Sequence, residues 1–150
     1  MGANVAIGFS SIFWNTAWTN GQAPHTLGIL CNPEHPAFDQ FPTQYHSNYQ
    51  WWDAMSHSNA ILPDSLARNL QPIVRVIDDW YKARPLGLLF ECRVGEGKLM
   101  LSGIDLISDQ QNRPEAKQLL YSLKNYMASS KFKPLVTISA NKILNLVEYK

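Results

Sequence analysis

The sequence predicts a single α/β domain, on three observations. Ile73-Val74-Arg75-Val76-Ile77 is β-branched with a period of two, the pattern of a half-buried strand. Leu86 to Val94 and Lys98 to Ile104 are two more strand-like runs, joined across Gly95-Glu96-Gly97, whose glycines permit the positive φ angles of a tight hairpin. Ala116, Leu119, Leu120, Leu123 and Met127 then repeat at three and four residues, one apolar face of a helix of about four turns. Strands interleaved with helices bury their apolar faces as a sheet with helices packed against it. At 150 residues and 45% hydrophobic, the chain can bury one core, so residues 1–150 are read as one domain. No internal repeat, low-complexity tract or long linker divides it.

In chain order, Ala3 to Phe9 and Thr26 to Cys31 are short apolar runs that read as strands, and Phe13 to Ala23 between them is a polar-aromatic loop without helical periodicity. Pro33, Pro36 and Pro42 break the next segment and leave one helical turn at His35 to Gln40. Ser47 is placed to cap a helix over Tyr49 to Ser56 with Trp52 and Met55 on one face. Ala60-Ile61-Leu62 forms a brief strand stopped by Pro63. After the hairpin, Pro114 takes the first position of the long helix. Lys124, Lys131 and Lys133 lie near its C-terminal end, where cations offset the negative pole of the helix dipole. Leu135 to Ile138 reads as one more strand, and Ser139 as the cap of a short helix carrying Ile143, Leu144 and Val147.

Charge is distributed unevenly. Residues 1–67 hold no Lys or Arg, a net −4, and yet contain four of the five Trp and all four His; the remainder sums to +5. Neutral side chains with flat apolar faces and hydrogen-bonding edges suit sugar rings or a docked neighbouring domain. An overall charge of +1 supplies no field to steer toward nucleic acid or anionic lipid. No apolar run approaches the roughly 20 residues that span a bilayer. Met1-Gly2-Ala3-Asn4 lacks the basic and apolar parts of a signal peptide and reads as an internal or engineered beginning. Cys31 and Cys92 sit inside apolar runs and are expected to be buried free thiols, with a disulfide as the alternative in an exported parent.

Several segments follow one another in a familiar order. They are Phe13-Trp14-Asn15-Thr16-Ala17-Trp18, His25-Thr26-Leu27-Gly28-Ile29-Leu30-Cys31, His35-Pro36-Ala37-Phe38 with Phe41-Pro42-Thr43, and Tyr45-His46-Ser47-Asn48-Tyr49-Gln50-Trp51-Trp52. Pro72 to Asp79, Leu86 to Glu91, Val94-Gly95-Glu96-Gly97-Lys98 and Asp105-Leu106 complete the run. Over residues 9–135 these resemble the C-terminal region of large bacterial glycoside hydrolase family 2 proteins, the β-galactosidase-like enzymes common in gut Bacteroidetes. The paired-Trp segment and the Val-Gly-Glu-Gly-Lys hairpin are the most specific pieces. The same order is similar to class I glutamine amidotransferase-like domains, including the trehalose-utilisation and β-galactosidase trimerisation types. The resemblance implies an incomplete amidotransferase-like (flavodoxin-like) sheet with flanking helices and a C-terminal β-hairpin plus helix. A doubly wound sheet opens with a strand, a Gly-rich turn and a long helix; none of these is visible, so the first unit is expected to be missing.

The chain departs from both families in its chemistry. Amidotransferases place a nucleophilic Cys on a Gly-x-Cys-x-Gly elbow with a downstream His-x-Glu, and neither motif occurs; Cys31 stands between Leu30 and Asn32. A retaining glycosidase needs two carboxyl groups about 5 Å apart, and family 2 enzymes carry the acid/base after an Asn. This sequence has no Asn-Glu pair, and Glu91 is its one plausible in-strand carboxylate. His25, His35, His46 and His57, with Cys31 and Glu34, lack the close spacing of a metal site, and loop histidines bonded to backbone account for them better. Pairing of Cys31 with His35 or His46 lacks any sign of an oxyanion hole. Arg75, Asp78 and Asp79 read as strand-end charges.

The candidate contact residues, for carbohydrate or a neighbouring domain, are therefore Trp14, Asn15, Trp18, His46, Asn48, Trp51 and Trp52, with Gln50 as a further amide. Adjacent Trp51 and Trp52 point about 100° apart on a helix, so at most one faces the core fully. The expected function is that of a non-catalytic C-terminal accessory domain of an exported β-galactosidase-like hydrolase, periplasmic or secreted with its parent. Its expected partner is the preceding catalytic domain of the same polypeptide, with room for carbohydrate and for a homo-oligomer. No nucleic acid, membrane span, metal or cofactor is expected. The rivals are an independent carbohydrate-binding module using Trp14, Trp18 and Trp51, and a small amidotransferase-like hydrolase acting through Cys31.

Overall fold

The computed structural model describes the backbone of residues 5–6, 8–9, 25–26, 28–78 and 83–147, and side chains over 28–78 and 83–146. Its centre is a four-stranded sheet in the order β4 (Gly28–Cys31), β6 (Val74–Ile77), β7 (Pro85–Val94), β8 (Gly97–Ser102), antiparallel throughout. The two expected front strands each divide between partners. β1 (Val5–Ala6) pairs antiparallel with β5 (Asn59–Ala60), while β2 (Gly8–Phe9) runs parallel to β3 (His25–Thr26). The class is α/β in the general sense of helices packed against a sheet.

β7 is buried on both faces and feeds two cores, Leu86, Leu88 and Leu89 the first and Phe90 and Cys92 the second. Leu89 and its neighbours join Ile29, Val74, Val76, Trp51, Leu119 and Tyr126 on one side. Phe90 and Cys92 join Ile61, Leu66, Leu70, Ile138 and Leu146 on the other. The first face is covered by a 3₁₀ turn at Pro36–Phe38, by α1 (Trp51–Ser56) and by α2 (Pro114–Ala128); the second is covered in part by α3 (Ala140–Val147). Both cysteines are buried and free, as expected of thiols in apolar runs.

The hairpin forms where the glycines place it, with one difference. Gly95 alone takes a positive φ, +57°, while Gly97 already belongs to β8, so the connection is the two-residue turn Gly95-Glu96. Further along, a Cβ on Gly103 would run into the Asn59 carbonyl, because the Asn59 N–H bonds the Gly103 carbonyl at 2.8 Å and the two backbones touch.

Four local expectations need correction. The first helix starts at Trp51 rather than Tyr49, with Gln50 in the cap position and no side-chain cap; Ser47 lies too far upstream and instead sits beside Gly28. Its inner face is Trp51, Ala54 and Met55, the i, i+3, i+4 set, and Trp52 points outward. In α2, Ser122 and Tyr126 are buried while Met127 is exposed, and no basic residue lies in the last turn; Lys131 pairs with Asp39 at 2.8 Å instead. Residues 135–138 make a single parallel bridge, Thr137 to Arg93, rather than a strand. α3 buries Leu146 and leaves Leu144 exposed, and the Ser139 carbonyl receives the first N–H groups of that helix.

Candidate functional site

Helix α1 separates its two indoles. Trp51 is 0% exposed; its Nε1 donates to Thr43 Oγ1 at 2.7 Å, and its ring meets Phe38 and Phe41 edge-on at 6.0 and 5.2 Å. It is a core pillar and cannot present a stacking face, which removes it from the expected contact set. Trp52 is 54% exposed and Tyr49, one turn earlier, 89% exposed. The Trp52 N–H reaches the Tyr49 carbonyl at 3.1 Å, which ties the two residues into one turn. Beside them Gln50 donates its amide to the Pro42 carbonyl at 3.0 Å, and Asn48 keeps a buried Oδ1 with no hydrogen-bond partner. His46 is exposed, its backbone bridged to Leu30. Trp14, Asn15 and Trp18, like the loop that carries them and the side chain of His25, lie outside the described residues, as does Asp79.

A cleft of roughly 390 Å³ opens near the end of β4, with Leu30, Cys31, His35, Tyr45 and Arg75 on its walls. It brings Cys31 and His35 to one place, but neither is set up for nucleophilic chemistry. The Cys31 thiol donates to the Gln44 carbonyl at 3.1 Å, and burial raises its pKa, opposed by a weak bond with Thr43. A thiol kept protonated is inert. His35 Nδ1 accepts the Ala37 N–H at 3.2 Å, so it caps the 3₁₀ turn and carries any ring proton on Nε2. Burial lowers its pKa despite the pull of Glu91 and Asp39, which favours the neutral imidazole.

Glu91 is occupied as well. It accepts from the Tyr126 hydroxyl at 2.6 Å, and burial together with that bond pushes the phenol pKa well up. The Tyr126 ring stacks edge-on with His35 at 5.3 Å, joining β7, α2 and the capped turn. The second polar cluster surrounds Arg113, buried just before α2. Its Nε donates to both Asp53 oxygens, at 2.9 and 3.0 Å, and its terminal nitrogens donate to the Ser108 and Asp105 carbonyls. Asp105 Oδ1 in turn accepts the N–H groups of Ile107 and Ser108, which hold its pKa down at about 2. His57 Nδ1 stands 3.2 Å from Asp53. Asp78, also buried, receives a bidentate Arg84 at 2.7 and 3.0 Å and the Arg84 N–H. These carboxylates anchor loops and helix ends, and among the described residues no group of three His, Cys, Asp or Glu side chains is gathered to hold a metal ion.

With the geometry in place, comparison with known sequences decides the family: residues 1–148 match the family described as Domain of unknown function (DUF8487). The chain belongs to that family. No curated protein matches it. No helix among the described residues is long and apolar enough to cross a membrane. For this DUF8487 chain, the contact features missed from sequence are Tyr45 and Tyr49, both strongly exposed, and the buried Arg113. Counting the Trp51-Ala54-Met55 spacing in place of Trp52-Met55 identifies the inner indole, and with it Tyr49 and Trp52 as the outer pair. Arg113 has no comparable signal, because its carboxylate partner Asp53 lies 60 positions away in sequence.

Proposed function

We propose that the chain is a non-catalytic C-terminal accessory domain of a β-galactosidase-like glycoside hydrolase, built on an incomplete amidotransferase-like sheet and exported with its parent. The observation that carries the reading is the division of labour at the start of α1: Trp51 is locked into the core, while Trp52 and the preceding Tyr49 offer an aromatic surface. Such a surface suits a neighbouring domain or the rim of a substrate site. The protonated thiol of Cys31 and the structural bonds of His35 and Glu91 are further support, since each of these three residues is held in another role. The parent's barrel would carry the chemistry and this domain would brace it. The resemblance in motif order supports the amidotransferase-like part of the reading.

A second reading, a carbohydrate-binding module, is favoured by the exposure of the same pair; it uses Tyr49 and Trp52 in place of Trp51. The readings separate by experiment. Under the accessory reading, the coding sequence upstream continues into a barrel with an Asn-Glu pair, and tryptophan fluorescence of the isolated chain stays flat on titration with galactosides and polysaccharides. A saturable shift abolished by Trp52→Ala assigns the binding module. Turnover of nitrophenyl glycosides or glutamine that disappears in Cys31→Ser overturns both.

A further inference from the structure

β8 is an edge strand, hydrogen-bonded within its sheet to β7 alone. The two-residue turn makes Val94 and Gly97 a hydrogen-bonded pair, and the Gly103 N–H reaching the Leu88 carbonyl at 2.7 Å continues that alternation. The backbone groups of Gly97, Leu99 and Leu101 therefore point at β7, and those of Lys98, Met100 and Ser102 point away from it. Among the described residues, none of these last three has a backbone partner. Edge strands are ordinarily blunted by a lysine, a proline, a bulge or a covering loop. The lysine of β8 does not serve that purpose: Lys98 Nζ folds back to donate to the Phe132 carbonyl at 2.8 Å and lies 5.8 Å from the Phe132 ring centre. Next to the open edge runs a groove of roughly 390 Å³ between β8 and α2, walled by Met100, Ile104, Leu106, Ile107, Leu120 and Met127. Ile107 on its rim is 78% exposed.

From this juxtaposition of bare edge and apolar groove we infer that β8 is a dimerisation strand, which pairs antiparallel with β8 of a second copy of this chain about a two-fold axis at Met100. The choice of a second copy follows from self-complementarity. In that register Lys98 stands opposite Ser102 of the partner subunit and Met100 opposite Met100 of the partner subunit, so no like charges meet across the seam. The outward backbone groups of Lys98, Met100 and Ser102 gain their missing ladder. The axis is perpendicular to the sheet, so both α2 helices stay on one face, and the methionine side chains, unbranched and adaptable, fill the adjoining grooves. The interface is isologous and closes on itself, leaving no edge for further growth. A net charge of +1 opposes association only weakly. This holds whether or not a glycosidase barrel precedes the chain, so it stands or falls apart from the proposed function.

The test is the mass of the full chain by sedimentation equilibrium over a concentration series, together with amide hydrogen exchange. The wild-type chain is expected to be a reversible dimer in which the Met100 and Ser102 amides exchange slowly. Met100→Lys sets two ammonium groups face to face and should raise the dimer dissociation constant by about tenfold or more, with circular dichroism unchanged. If Met100→Lys fails to fold, Ser102→Lys, which confronts Lys98 of the partner subunit, takes its place. A wild-type chain that is monomeric up to its solubility limit overturns the inference. So does a dimer whose dissociation constant is unmoved by the folded variant, or whose Met100 and Ser102 amides exchange freely.

Discussion

The two edges of the four-stranded sheet are finished in opposite ways. At the β4 edge the chain closes its own sheet. The Cys31 N–H bonds the Tyr45 carbonyl at 3.0 Å, Leu30 bridges to His46, and three side chains fasten the covering segment: Gln50 to the Pro42 carbonyl, Trp51 to Thr43 and Cys31 to the Gln44 carbonyl. At the β8 edge the outward backbone of Lys98, Met100 and Ser102 has no backbone partner among the described residues and lies beside an apolar groove. An edge that is sealed by buried side chains belongs to the stability of the protomer, and one left open beside apolar surface is available for association. Cys31 and Trp51 both lie with the sealed edge, where the thiol bonds the Gln44 carbonyl and the indole bonds Thr43.

The largest effect should come from breaking the sealed edge. Trp51→Ala removes the pillar under the covering segment and is expected to cost about 3–5 kcal/mol in urea unfolding. Trp51→Phe, which keeps a ring and loses the bond to Thr43, should cost less. A small loss in the alanine variant would mean that the segment is held without its anchor.

A smaller effect should follow at the far end of β8. Gly103→Ala forces a Cβ against the Asn59 carbonyl, and the displaced backbone is expected to cost about 1–3 kcal/mol by the same measurement. Equal stability would show that the contact between Gly103 and Asn59 yields easily.

The smallest effect is a pH dependence in the wall of the open groove. Asp105 has a folded pKa depressed from 3.8 to about 2 by the N–H groups of Ser108 and Ile107. Its contribution is therefore complete above pH 3.8 and is lost as the pH falls toward 2. Acid should lower the protection of the Ile107 and Ser108 amides, taken relative to their intrinsic exchange rates at each pH, before global unfolding, and Asp105→Asn should remove that pH response. Protection that follows pH identically in both proteins would detach this loop from the carboxylate.

Legibility from sequence divides along physical lines. The β6 strand, the hairpin and α2 were readable because period-two and period-3.6 patterns are local, and because a positive φ at Gly95 demands glycine. The outward turn of Trp52 is not legible because two neighbouring indoles look alike until the helix start is known, and the helix starts at Trp51 rather than Tyr49. Residues 135–138 read as a strand from their β-branched composition, yet their backbone meets the sheet only at Arg93, while Ile138 packs against Phe90 and Cys92. Arg113 was invisible as a key residue: it gathers Asp53, 60 positions away, with the local Asp105 and Ser108 carbonyls.

By itself the sequence determined the α/β character, the hairpin, the main helix and the absence of amidotransferase and glycosidase motifs, because each is written in short-range periodicity or residue identity. Tertiary structure decided which strand is sealed and which is open, which tryptophan is buried, and that Cys31, His35 and Glu91 are held in bonds of their own. Those outcomes depend on backbone and side-chain partners brought together from distant positions, and the free energy of such pairings exists only once the chain has closed upon itself.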